Sequence, residues 1–146
     1  MSLIRLRSWL SGLWAGTVLC IGGIAAPSLF AVLERAQAGL AAGRLFRVDA
    51  SLSLVLSVLL LLVERRVAGA RAEQGQGGSR MSTELVLVLT ALFCTVAGYF
   101  AIQPLMEQAR AGHGNWSFGV LHGTSSAFFA AKAVVLTVLA WRCTAR

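Results

Sequence analysis

The sequence predicts an all-α integral membrane protein, a four-helix bundle running up-down-up-down with both termini in the cytoplasm. Three observations predict it. The 146 residues are 57 % hydrophobic and 13 % charged, with mean hydropathy +0.73, whereas a soluble domain carries about 25 % charged residues. The charges collect at the flanks of apolar runs of membrane-spanning length. The arginines are also divided unequally between the two sides that four crossings would define.

The first span, at about 8–33, rests on 26 uncharged residues between Arg7 and Glu34. A hydrocarbon core of about 30 Å needs roughly 20 helical residues. The run is too long for a cleaved signal peptide, and Pro27 follows Ala25 and Ala26 where cleavage would fall, so the span is retained. Pro27 frees a carbonyl near Gly23 and is expected to kink the helix.

The second span, at about 44–64, has only 14 uncharged residues from Ala50 to Val63. That is about 21 Å of helix, too short to cross. To reach far enough it must draw Asp49 and Arg47 into or near the hydrocarbon. The stretch 68–82, AGARAEQGQGGSRMS, reads as a flexible loop. The third span, at about 85–106, lies within the 22 uncharged residues between Glu84 and Glu107. The fourth, at about 117–141, is interrupted only by Lys132. Arg5, Arg7, Arg65, Arg66, Arg71, Arg80, Arg142 and Arg146 share one side, against Arg35, Arg44, Arg47 and Arg110 on the other. The positive-inside bias makes the richer side cytoplasmic, with Trp9 and Trp141 at the inner interface and Trp116 at the outer one. The chain forms one membrane domain, multi-pass in an inner membrane.

The net charge of +7 and pI near 11 do not point to nucleic acid, because the cations flank apolar runs and do not form a basic patch. Cys20, Cys94 and Cys143 lack metal-motif spacing and read as small apolar side chains. Glycines four apart, Gly12 and Gly16, Gly39 and Gly43, Gly119 and Gly123, suit close helix packing within the bundle or across a homodimer.

Polar groups inside a span need a partner or a role. Counting rise per residue puts Asp49 about 8 Å and His122 about 9 Å below the outer boundary. Gln103 and Ser28 fall near that layer. Asp49, Ser53 and Ser57 follow at intervals of four and form a polar stripe. These positions predict a polar pocket in the outer half built from Asp49, Arg47, His122, Ser126 and Gln103, which could take a small anion, a cation, a proton or a metal, the last on His122. The alternative is a structural Asp–His or Asp–Arg contact. Lys132 is expected to snorkel toward the inner interface. If it faces inward instead, it marks a pathway with Cys20, Cys94 and Tyr99. No nucleophile elbow, zinc-protease motif or phosphate loop is present, so the chain is expected not to be an enzyme and to require no cofactor.

Leu13–Trp14–Ala15–Gly16 leading to Ala26–Pro27–Ser28–Leu29–Phe30, then Gly43–Arg44–Leu45–Phe46, and Phe118 through Ser126 together resemble the transmembrane protein 205-like family. These are small four-helix membrane proteins carrying domain of unknown function 4149. The resemblance spans nearly the whole chain. It implies four helices and a membrane location, and it directs attention to Pro27, Phe30, Gly43, Phe46, His122 and Ser126. No activity is established for that family. The chain is also distantly similar to copper-resistance D-type proteins and their haem-synthesis relatives, but it offers a single intramembrane histidine. Three functions are thus expected: handling of a small polar solute or metal ion, haem or copper binding through His122 across a homodimer, and assembly with another membrane protein.

Overall fold

The computed structural model describes residues 2–73, 75 and 81–144, which form four helices, α1 (Leu3–Val32), α2 (Arg35–Glu73), α3 (Thr83–Arg110) and α4 (Phe118–Thr144). All four are long and apolar enough to cross a membrane. The chain is therefore a multi-pass membrane protein built from α-helices. Every helix runs past the expected span at one or both ends. The largest difference is α2, which begins at Arg35 and continues to Glu73. Residues 68–73 of the expected loop are thus its last turns, while 74 and 76–80 lie outside the described residues. Nothing between Arg35 and Glu73 interrupts the helix, because the stretch lacks proline and its glycines face no turn.

The hydroxyl of Ser2 accepts from the Arg5 N–H at the start of α1, and that of Ser82 accepts from the Leu85 N–H at the start of α3. Each satisfies one of the free donors of a first helical turn. α1 packs on α2, α2 on α3, α3 on α4, and α4 back on α1. Long-range bonds bring the starts of α1 and α3 together with the ends of α2 and α4. Arg7 meets Glu64, Glu84 meets Arg142, and the Ser8 hydroxyl donates to the Cys143 carbonyl at 2.7 Å.

Two helices carry a π turn just before a proline, Ile21–Ala25 ahead of Pro27 and Val96–Ala101 ahead of Pro104. A proline nitrogen cannot donate to the turn before it, so the backbone widens there and the Ala26 N–H reaches back to the Ile21 carbonyl. The sequence pointed to a kink near Pro27 and not to the equivalent irregularity ahead of Pro104. Each π segment seats a ring from α4. Gly22 lies against Phe129 and Gly98 against Phe128, so close that a Cβ at either position would overlap the phenylalanine side chain. Close packing therefore uses Gly22 and Gly98. Gly12, Gly16, Gly43, Gly119 and Gly123 are exposed, and Gly39 is half-buried; a Cβ added at any of them would meet no atom within 4 Å. The reason is azimuth: four-residue spacing sets a stripe on a helix but not the direction in which that stripe faces.

The main apolar core runs along the inward seams and includes Leu10, Trp14, Val18, Leu56, Leu60, Val88, Leu136 and Leu139. A smaller cluster of Ile102, Met106 and Leu121 closes the opposite end.

Candidate functional site

The inward seam of α4 is Leu121, Lys132, Leu136, Leu139 and Cys143, with Ser125 and Phe128 partly buried on the same line. Steps of three and four keep these side chains on one face. Lys132 therefore points into the bundle and is only 3 % exposed. Its Nζ donates to Asp49 Oδ2 at 2.6 Å and to Ser53 Oγ at 3.3 Å, and it lies 5.0 Å from the centre of the Phe129 ring. The bridge crosses the bundle from α4 to α2, two helices that do not pack directly on one another along their backbones. Ser53 Oγ also accepts from Trp14 Nε1 at 3.0 Å, which ties in α1. Cys94 on α3 is buried within electrostatic reach of Lys132. Helices α1, α2 and α4 thus bond to one another through one polar centre.

The predicted snorkelling of Lys132 is therefore corrected. Helical side chains lean toward the N-terminus of their own helix. The inner end expected for the lysine is the C-terminal end of α4, so snorkelling would oppose that lean. Ten residues separate Lys132 from Arg142 and fifteen separate Asp49 from Glu64, or about 15 Å and 22 Å of rise. A lysine stem of the observed direction closes that gap.

The predicted outer pocket does not assemble. Asp49 is buried as expected, and Ser53 and Ser57 continue its stripe. His122, however, is exposed and stacks on Phe118, with ring centres 5.6 Å apart, and the Arg110 guanidinium lies over the same Phe118 ring. Ser126 and Arg47 are exposed, and Gln103 bonds weakly to Glu107 at 3.5 Å on the surface. Depth alone pairs Asp49 with His122, but His122 sits about 100° from Leu121 on the helix and so leaves the seam. Of the proposed pathway, Cys94 lies near Lys132, Cys20 is exposed, and Tyr99 is half-buried with its ring edge-on to Phe100 at 5.2 Å. Among the described residues no three His, Cys, Asp or Glu side chains gather as a metal site, at His122 or elsewhere.

One atom of the centre lacks a partner. Asp49 Oδ1 is buried and accepts no hydrogen bond, while Oδ2 holds the lysine. A carboxylate oxygen left so is costly, and it marks where a donor would be stabilised.

The family profile of a domain of unknown function, DUF4149, matches residues 9–115. The chain belongs to the DUF4149 family. The match covers α1, α2 and α3 with Asp49, Ser53 and Trp14, while Lys132 and His122 on α4 fall outside it. No curated protein and no solved structure matches this DUF4149 protein.

Proposed function

We propose that this DUF4149 protein is an inner-membrane protein with cytoplasmic termini that handles a small polar solute at the Asp49–Lys132 centre. The surplus of arginines at the end bearing Arg7 and Arg142 supports the orientation. The observation that carries the function is the unpartnered Asp49 Oδ1 beside a charge pair buried in the middle of the bundle. Ionisable groups inside a membrane protein mark solute or proton routes. The free group is an acceptor, so the solute is a hydrogen-bond donor. The cavities of about 520 Å³ and 220 Å³ lie at the two ends of the bundle and do not include Asp49.

Thermal unfolding of the purified protein against ammonium, methylammonium, guanidinium, urea and glycerol tests this. At least one is expected to stabilise saturably, and Asp49→Asn to lose that stabilisation. Wild-type protein indifferent to every donor would reduce the centre to a structural strut.

The outward glycine pairs favour a second reading, assembly through helix faces. Gly12 and Gly16 on α1 and Gly119 and Gly123 on α4 leave the backbone open to a neighbouring helix. Gly16→Leu is then expected to shift the detergent-solubilised protein from dimer to monomer in mass photometry. A wild type already monomeric in mild detergent removes this reading.

A further inference from the structure

The charged end of the bundle carries a second unmet demand. Arg7 enters from the first turns of α1 and is 1 % exposed. Its Nη1 donates to Glu64 Oε1 at 3.5 Å, the outer limit of a hydrogen bond. Nε and Nη2 are buried and have no acceptor. Those two N–H groups lie along one edge of the guanidinium and point the same way. That edge is the fork that grips two oxygens of one carboxylate or phosphate. Glu64, which could offer a second oxygen, engages the other end of the guanidinium.

The surroundings favour a further anion. Glu64 lies within electrostatic reach of Arg71 and of Glu84, and Arg142 grips Glu84 Oε1 through Nε at 3.2 Å and Nη2 at 3.0 Å. A cavity of about 520 Å³ opens beside Glu64 and is bounded by Arg65, Ser82, Met81 and Leu85. Among the described residues Arg7 and Arg71 thus act on Glu64 and Arg142 on Glu84, three cations to two carboxylates. Trp9 and Trp141 are exposed on the helix ends that carry Arg7 and Arg142. Exposed tryptophans sit at headgroup level in a bilayer, the depth of lipid phosphates.

We infer that the Nε/Nη2 edge of Arg7 is the core of an oxyanion site at this end of the bundle, and that its ligand is a phosphate group. A phospholipid headgroup and free phosphate share that chemistry, and the cavity beside Glu64 lies next to the carboxylate that Arg7 holds. This site is separate from the Asp49–Lys132 centre, so either proposal can fail alone.

The test uses full-length protein delipidated in maltoside, a detergent without phosphate. Inorganic phosphate is expected to raise the melting temperature saturably, while chloride at equal ionic strength does not. Arg7→Lys keeps the charge and loses the fork, and is expected to weaken the apparent phosphate affinity about tenfold, the effect of roughly one charge-assisted bond. In a second arm, native mass spectrometry counts phospholipids retained by each protein. Retention of a phospholipid by the wild type and its loss in Arg7→Lys, without an effect of free phosphate, supports the site and assigns it to a headgroup. If Arg7→Lys does not fold, Glu64→Gln serves instead: it removes the competing carboxylate and is expected to tighten phosphate or phospholipid binding. Absence of both ligands from the wild type, or unchanged binding in the variant measured, overturns the proposal.

Discussion

Lys132→Met is expected to be the most damaging single substitution in the bundle. The methionine matches the lysine stem in length and removes only the ammonium. Asp49 would then be left 2 % exposed with no counter-charge, and Ser53 would lose one of its two donors. Breaking a buried ion pair from one side costs about 3–5 kcal/mol, because the abandoned charge stays out of water. Joining Lys132→Met to Asp49→Leu should recover most of that loss, since replacing both partners by apolar groups removes the desolvation along with the attraction. Reversible unfolding in mixed micelles reads both. Additive losses in the double variant would mean that the two side chains act independently and that the 2.6 Å contact carries no coupling.

Gly98→Ala is the second. Its new methyl would overlap Phe128 Cβ and lie 3.1 Å from Cγ. A Cβ is fixed to the backbone, so α3 and α4 must separate to admit it. That movement also strains the 2.6 Å bond from the Ser125 hydroxyl to the Gly98 carbonyl. Overpacking of this kind costs about 1–3 kcal/mol. Gly22→Ala presses on Phe129 at Cε1, the far edge of a ring that can swing, so it should cost less. That ring is held edge-on by Phe46 at 5.1 Å and lies beside Lys132, which keeps the cost above zero. Melting temperatures in one detergent rank the pair, and a milder effect at Gly98 than at Gly22 would contradict the backbone-versus-ring distinction.

The membrane class and the four helices were legible because they depend on sums: run lengths between charges and total hydropathy. The burial of Asp49 followed from the shortness of one apolar run. The partner of Asp49 did not follow, because depth is one coordinate and azimuth is another. The seam of α4 was present in the sequence as Leu121, Ser125, Phe128, Lys132, Leu136, Leu139 and Cys143, at steps of four and three. Followed along its length it would have turned Lys132 inward and His122 outward. The buried pairing of Arg7 with Glu64 was harder to see. Both sit at the edges of apolar runs, where a charge ordinarily meets water or headgroups. The glycine stripes face out of the bundle for the same reason as His122, while Gly22 and Gly98 carry no four-residue signature and are recognised only from the rings placed on them.

The arrangement of charges also orders the making of the protein. Arg7 and Glu64 meet within the first hairpin, and Glu84 and Arg142 within the second, so each hairpin can enter the lipid with that pair already neutralised. Asp49 is different, because its cation is 83 positions farther along the chain. At about 5–20 residues per second of synthesis, it waits on the order of 4–17 s for the last helix to emerge. Until then the nascent first hairpin holds an acid without its cation, and arrival of α4 is the event that neutralises it.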